Sequence, residues 1–135
     1  MPLSAREEYQ FGSATIPTVF LDMNAEFGSR GFLLRVYDTR ALSEADREAL
    51  RALAEQRTLE IGQPGPPRVS REGDAEVHDV VITELVDNPY HAAILRTFVL
   101  GGFVFEAIVI AQRDMGVTED ARAFFASIRL RTAPH

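Results

Sequence analysis

Residues 94–111 read ILRTFVLGGFVFEAIVIA, and this stretch divides into two apolar runs at the pair Gly101 and Gly102. A two-residue Gly-Gly connection supplies the positive φ angles of a tight primed turn, so it predicts a β-hairpin. The turn also fixes which residues lie opposite each other on the two strands. The predicted opposite pairs are Leu100 with Phe103, Phe98 with Phe105, Thr97 with Glu106 and Leu95 with Ile108.

Both faces of this hairpin are largely apolar. One face carries Ile94, Phe98, Leu100, Phe103, Phe105 and Val109, and the other carries Leu95, Val99, Val104, Ile108 and Ile110. A sheet with one wet face alternates apolar and polar residues, so the pattern predicts central strands that are covered on both sides. Because a lone hairpin is not stable in water, the rest of the chain must supply that cover.

The composition is that of an ordinary globular domain. The chain has 135 residues, of which 46% are hydrophobic and 25% are charged. We therefore expect a single domain, residues 1–135, with its core at about 11–130. The longest apolar runs are shorter than the roughly 20 residues that a membrane-spanning helix needs, so we expect no membrane span.

The charges argue against a nucleic-acid partner. All 14 basic residues are arginine, 20 residues are acidic, and the net charge is -6. Binding to a phosphate backbone needs the opposite field. The absence of lysine excludes Schiff-base chemistry, and the absence of cysteine excludes disulfides and thiolate nucleophiles.

The compartment depends on what Met1 is. The opening residues, MPLSAREEYQ, contain no apolar signal-peptide core. If Met1 is the native start, we expect a cytoplasmic protein. If Met1 replaces a removed leader, the cell envelope is equally possible.

The N-terminal third predicts a lead-in followed by two strands. Residues 1–10 are rich in charge, and we expect them to be a solvated lead-in. Residues 11–23 favour a strand, but Pro17 has no amide hydrogen, so we expect an edge strand or a bulged one. Residues 31–37 predict the next strand.

The most regular helical pattern covers residues 43–57, with Ser43 as the N-cap. The predicted apolar stripe consists of Leu42, Ala45, Ala49, Leu50 and Leu53. Glu48, Arg51 and Glu55 form pairs at helical spacing, and we expect them on the solvated face.

The C-terminal half predicts a meander and a last helix. Residues 62–75 contain three prolines and three glycines, which predicts a loop, either mobile or with a short strand around 68–70. Residues 77–86 then predict a strand that completes a three-stranded antiparallel meander with the hairpin. A final helix begins at Thr118 and lays Phe124 and Phe125 against the sheet.

Few residues suggest chemistry. His78 and Asp79 are sequential on a strand and point to opposite faces, so they form no dyad. Metal binding by His78, Asp79, Asp87 and His91 lacks an HxH or HExxH spacing, and we expect no metal and no cofactor.

Two glutamates, Glu84 and Glu106, interrupt apolar strands. Each has two interpretations, a position at a strand end or rim, or a buried acid with a raised pKa. No serine lies in a GxSxG elbow, and we expect no catalytic residues.

The C-terminal pattern resembles a known superfamily. A strand, a Gly-containing turn, an aromatic-rich strand and a final helix that ends in FFxSxxL run from Leu95 to Leu130, with Phe124, Phe125 and Ser127 in the last motif. This arrangement resembles the PsbP/Mog/DcrB-like superfamily. Phe105 stands near the usual tyrosine of that family, and Ile128 replaces a common phenylalanine.

The resemblance implies an α+β fold, an α/β/α sandwich around a central, mainly antiparallel sheet. Its order would be an N-terminal hairpin, a helix, the three-stranded meander and a C-terminal helix. Members of that superfamily are accessory proteins, among them photosystem-associated subunits, envelope lipoproteins and EagR-type chaperones that shield hydrophobic segments of secreted effectors. None of their functional residues can be matched here position by position.

We therefore expect a non-enzymatic protein-binding, accessory or chaperone-like domain. Its partner would be another protein or a second copy of the chain. The alternative is a small-ligand-binding protein or an enzyme with an unrecognised pocket. The predicted partner-binding residues are the loop residues Asp87, Asn88, Tyr90 and His91, because aromatic loop residues on a rigid scaffold are common contacts.

Overall fold

A computed structural model describes residues 3–22, 31–86, 91–112 and Phe125. In chain order the elements are β1 (Leu3–Phe11), β2 (Ala14–Asp22), β3 (Gly31–Asp38), α1 (Glu44–Leu59), β4 (Gln63–Pro64), β5 (Arg68–Glu72), β6 (Ala75–Thr83), β7 (His91–Leu100) and β8 (Phe103–Gln112). The described strands form one eight-stranded antiparallel sheet in the order β1-β2-β3-β8-β7-β6-β4, and β5 also pairs with β6.

The predicted α/β/α sandwich is wrong. The described chain is mostly sheet, with α1 as the helix whose bounds the structure gives. The expected solvated lead-in contains a strand at Leu3–Phe11, so this prediction is wrong. For residues 62–75 the alternative with a short strand around 68–70 is the correct one, and two further residues, Gln63–Pro64, also pair with the sheet. The predicted C-terminal helix lies outside the described residues except for Phe125.

The central hairpin of β7 and β8 confirms the prediction from the two glycines. Gly101 and Gly102 have φ angles of 60° and 83°, as a primed turn requires. The predicted opposite pairs are all present, including Leu100 with Phe103 and Thr97 with Glu106. A Cβ atom on Gly102 would lie 3.0 Å from Cγ of Arg40, so the turn also packs closely against the chain that follows β3. β6, β7 and β8 form the predicted meander.

The N-terminal residues form a hairpin instead of a solvated lead-in. β1 pairs with β2 along its whole length, and the two strands are joined at Gly12, whose φ is 60°. β2 also pairs with β3, so the predicted edge position of the proline-containing strand is wrong. The β2–β3 ladder starts at Thr18, however, and Pro17 lies one residue beyond it. A residue without an amide hydrogen is tolerated at such a position.

Helix α1 begins where it was predicted to begin. Ser43 is the N-cap, and its Oγ accepts a hydrogen bond from the Asp46 amide at 3.2 Å. The predicted stripe is only partly right, because Leu53 is half exposed. The buried residues of the helix are Leu50, Arg51, Ala54 and Thr58. Two of these four, Arg51 and Thr58, are polar. They can be buried because they donate hydrogen bonds to Thr97 and Glu106 of the sheet.

Different clusters of buried side chains cover the two faces of the sheet. On the helix-side face, Leu50 and Ala54 of α1 pack with Ile16, Tyr37 and Val104. On the opposite face, Phe125 packs with Phe32, Ile94, Ala107 and Val109. Farther along the opposite face, Phe98 and Phe105 stack with ring centroids 4.7 Å apart. The prediction that the hairpin is covered on both faces is confirmed for its central residues, because Leu95 and Val104 are buried on the helix-side face and Phe98 and Phe105 on the opposite face.

Within the described ranges, no helix combines the length and the apolar character needed to cross a membrane.

Candidate functional site

A large open groove lies on the opposite face of the sheet. Its volume is about 750 Å³, and it runs between the connection from β4 to β5 and the ring of Phe125. The apolar part of its lining comes from Pro66, Pro67, Val81, Ile94 and Phe125. Val81 remains 48% exposed although it lies on an inner strand. The groove therefore presents apolar surface to solvent where a sheet normally hides it.

The groove exists because the strand that borders β6 is broken. β4 pairs with β6 up to Pro64 opposite Ile82, and β5 resumes at Arg68 opposite Asp79. Between these pairs, the Gly65 amide donates to the Val81 carbonyl oxygen at 2.8 Å. Pro66 and Pro67 have no amide hydrogen and cannot continue the ladder. The chain therefore leaves the sheet edge at Pro66 and Pro67, beside the exposed side chain of Val81.

Charged side chains occupy one wall of the groove. Arg96 makes a two-pronged ion pair with Asp79, with distances of 2.8 Å from Nε and 2.9 Å from Nη2. Its Nη1 donates to Glu72 at 2.9 Å, and its guanidinium lies 4.7 Å from the ring centroid of Phe125. Burial opposes the positive charge, but Asp79 and Glu72 outweigh it and raise the pKa of Arg96 above its ordinary value. This wall is consequently fixed in position, and its two carboxylates outnumber its one guanidinium.

A buried polar network lies beneath α1, on the helix-side face, and is centred on Glu106. Glu106 is 2% exposed, so of its two sequence interpretations the buried position is the correct one. Its Oε1 accepts from Arg35 Nη1 and from the Tyr37 hydroxyl, both at 3.2 Å. Its Oε2 accepts from the Thr58 hydroxyl at 2.5 Å. Glu84 is different, because it is exposed in the turn after β6 with a φ of 49°.

Tyr37 directs the hydrogen bonds of this network. The Arg57 guanidinium donates to the Tyr37 hydroxyl at 2.8 Å, and that hydroxyl donates to Glu106. Burial, reinforced by the negative charge of Glu106, raises the pKa of Tyr37 to about 12. Tyr37 therefore stays neutral and keeps its proton on the bond to Glu106. A carboxylate that is held by three donors in this way is a structural element more than a general base.

A second polar cluster joins α1 to β7. Arg51 is 4% exposed, and its Nη1 donates to the Thr97 hydroxyl at 2.8 Å. It pairs with Glu48 at 2.7 Å and with Glu55 at 3.5 Å. The two pairs predicted from helical spacing are thus present, but the expected solvated position of Arg51 is wrong. The side chain of Arg51 is buried under the helix, and the exposed Glu48 pairs with its guanidinium.

His78 lies near this second cluster, opposite Thr97 on the adjacent strand. Its Nε2 is 2.9 Å from Glu76 Oε1, but the two atoms do not have hydrogen-bonding geometry. Asp79 points to the opposite face, as predicted, where it holds Arg96. Among the described residues, no three acidic, histidine or cysteine side chains come together in a group that could hold a metal ion.

The loop that was predicted to bind a partner is only partly described. His91 is the first residue of β7 and is half-buried. Asp87, Asn88 and Tyr90 lie outside the described residues. The groove residues were missed by the sequence analysis. A usable signal was present in the PGPP motif at residues 64–67, because two adjacent prolines beside a strand edge interrupt pairing and uncover the neighbouring strand.

Comparisons with known proteins support the fold and go no further. No protein-family model matches the chain, and no curated protein matches it significantly. Among solved structures, a protein of unknown function from Pseudomonas aeruginosa, PA94, is similar with a TM-score of 0.50 at 9% sequence identity. The similarity covers 95% of this chain and 99% of that one. At this identity the similarity concerns the fold alone.

Proposed function

We propose that this chain is a non-enzymatic, chaperone-like binding domain that takes an apolar segment of another protein into the groove beside Pro66 and Pro67. The observation that supports the proposal is the exposed apolar floor of that groove, above all Val81. Solvent-exposed apolar surface of this kind commonly marks a site of protein interaction. The domain would act as an accessory factor that covers the segment until it is needed.

The polar residues of the groove indicate what kind of segment fits. Arg96 is already paired with two carboxylates, Asp79 and Glu72, so it offers no free positive charge to a bound segment. Arg68 is exposed at the rim, and no described residue forms an ion pair with it. An apolar segment that carries an acidic residue at one end would therefore match the groove. Its apolar side chains would lie on Val81 and Ile94, and its carboxylate would face Arg68.

The arrangement of the acids supports binding over catalysis. Glu84, Glu106 and His78, the groups that an enzyme site would have used, do not line the groove. Glu106 is saturated with donors beneath α1, and Glu84 is exposed in a turn. An enzyme with this groove as its active site would have to work with Asp79 and Arg96, which are locked to each other.

A peptide titration tests the proposal. The probe is a fluorescein-labelled peptide of leucine and alanine with two glutamates at one end, and the readout is fluorescence anisotropy. We expect saturable binding to the native chain. Val81→Glu places an unpaired charge on the groove floor and should weaken binding by at least about tenfold.

The control for this titration is Val69→Glu. Val69 is 57% exposed and lies opposite His78 on β5, so it points to the helix-side face and away from the groove. This variant has the same change in charge and should bind the peptide like the native chain. Equal binding by all three proteins, or no binding by the native chain, would contradict the proposal.

A further inference from the structure

A second, smaller cleft lies on the helix-side face. It is at the β1 end of the sheet, whereas the groove is at the β6 end. It has a volume of about 210 Å³ and sits where β1, β2 and β3 meet the C-terminal turn of α1. Polar and aromatic side chains dominate its lining, which includes Glu7, Tyr9, Thr18, Arg35, Tyr37 and Arg57. A volume of this size accommodates a ligand of about ten non-hydrogen atoms but no protein segment.

Arg57 is the basic group at the helix end of the cleft. Its Nη2 donates to the Tyr37 hydroxyl at 2.8 Å, and its guanidinium lies 5.2 Å from the ring centroid of Tyr9. These contacts hold the guanidinium in one orientation. Within the part of the chain that the structure describes, no carboxylate pairs with Arg57. The cleft therefore contains a fixed cation whose remaining donors are available to an anion.

Arg35 is the second basic group and faces Arg57 across Tyr37. Its Nη1 donates to Glu106 at 3.2 Å, and its guanidinium lies 4.9 Å from the ring centroid of Phe20. Its Nε is 3.7 Å from Oε2 of Glu7, which is too long for a hydrogen bond. The side chain of Arg35 is 29% exposed, so part of the guanidinium reaches the cleft.

On this face of the sheet the cleft has two cations, Arg35 and Arg57, and two anions, Glu7 and Glu106. Glu8 also lines the cleft, but successive residues of a strand point to opposite faces, so its carboxylate lies on the other face from that of Glu7. Glu106 neutralises Arg35 from the buried side, where it is inaccessible to a ligand. This leaves Arg57 as the uncompensated cation at one end and Glu7, 46% exposed, as the loosely held anion at the β1 end. A simple anion would satisfy Arg57 but would meet Glu7. A simple cation would satisfy Glu7 but would be repelled by Arg57.

We propose that this cleft binds a free amino acid as its zwitterion, with a small polar side chain. The carboxylate accepts hydrogen bonds from the guanidinium of Arg57 and from the exposed part of Arg35. The ammonium group donates to Glu7, which gives up its long contact with Arg35. The small volume and the polar lining by Tyr9 and Thr18 select against large apolar side chains.

Isothermal titration of the full chain tests this site with three probes. The probes are L-serine, acetate, which has the carboxylate alone, and ethanolamine, which has the ammonium group alone. For a ligand of this size we expect a dissociation constant for L-serine on the order of 0.1 to 1 mM. Acetate and ethanolamine should each bind at least about tenfold more weakly, because each satisfies one end of the cleft and leaves the other unpaired.

Two variants assign the ends of the ligand. Arg57→Gln should weaken L-serine binding by at least about tenfold, and Arg40→Gln, an equal loss of charge at an exposed arginine outside the cleft, should leave it unchanged. Glu7→Gln should weaken L-serine binding but not acetate binding. Circular dichroism of each variant verifies that the fold is retained, and both cleft variants alter exposed side chains.

The outcomes separate this proposal from others. Acetate binding as tightly as L-serine would overturn the zwitterion and leave an anion site. Binding of L-serine that neither Arg57→Gln nor Glu7→Gln changes, or no heat of binding at all, would overturn the site itself. None of these results bears on the peptide groove, because Val81 lies on the other face of the sheet.

Discussion

The buried guanidinium of Arg51 donates to the hydroxyl of Thr97 at 2.8 Å and thereby ties the inner side of α1 to the centre of β7. Arg51→Ala removes this bond, the ion pair with Glu48 and the buried stem of the side chain. We expect a loss of about 1 to 3 kcal/mol in the free energy of unfolding. Urea denaturation measures it. Gln56→Ala, at an exposed position on the same helix, should cost less than about 0.5 kcal/mol, and equal losses at the two positions would contradict the structural role of Arg51.

The stability of the domain should also depend on alkaline pH through Tyr37. Burial raises the pKa of Tyr37 from 10.0 to about 12, so the folded state favours the protonated hydroxyl more than the unfolded state does. This contribution is fully present below pH 10 and is lost as the pH rises through 12. Urea denaturation at pH 9 and pH 11 should show a larger fall in stability for the native chain than for Tyr37→Phe. Tyr9→Phe serves as the control and should behave like the native chain.

Phe125 should contribute strongly to stability from the face opposite α1. It is 7% exposed and packs with Phe32 and Ile94. Phe125→Ala removes a buried ring and should cost about 3 to 5 kcal/mol, measured by urea denaturation. Leu53→Ala, at a position that is 49% exposed, should cost far less. A loss below about 1 kcal/mol for Phe125→Ala would mean that this side chain does not dock on the sheet.

Contact of Asp87, Asn88, Tyr90 and His91 with a partner protein stays a prediction, because the structure describes only His91 of this set. If Tyr90 and His91 take part in binding, replacing both with serine should weaken the anisotropy signal of the leucine–alanine peptide. The same double variant should unfold at an unchanged urea concentration, since the predicted role of these residues is contact and not packing. Unchanged peptide binding would remove Tyr90 and His91 from the interface and leave the groove as the proposed contact surface.

The sequence predicts those parts of the fold that depend on neighbouring residues in the chain. The Gly101–Gly102 turn and the Ser43 cap are local rules, and the structure confirms both. Residues 3–10 were misassigned because the charged run Arg6, Glu7 and Glu8 suggested a solvated segment, whereas their strand character comes from pairing with β2. Pairing with a distant part of the chain overrides a weak local preference.

The candidate sites were harder to predict than the fold, for a related reason. Arg51 and Glu106 are charged residues, and a sequence pattern assigns charges to solvent by default. Their burial depends on Thr97, Arg35 and Tyr37, which are brought to them by the sheet order β3-β8-β7. The sequence identified Glu106 as unusual, but it could not show which donors would surround it.

The junction between α1 and β4 allows a sharper test, because Gly62 is required there for lack of space and not for an unusual φ. A Cβ atom on Gly62 would lie 2.6 Å from the Thr83 carbonyl oxygen and 2.9 Å from Cγ2 of Ile82. Gly62→Ala must therefore push β4 away from β6 and should cost about 1 to 3 kcal/mol by urea denaturation. Gly12→Ala is the matched control, because a Cβ atom there would lie in open space. Its expected loss in the free energy of unfolding comes only from its φ of 60° and is about 1 kcal/mol. A smaller loss for Gly62→Ala than for Gly12→Ala would show that the chain at Gly62 does not press on Ile82 and Thr83 of β6.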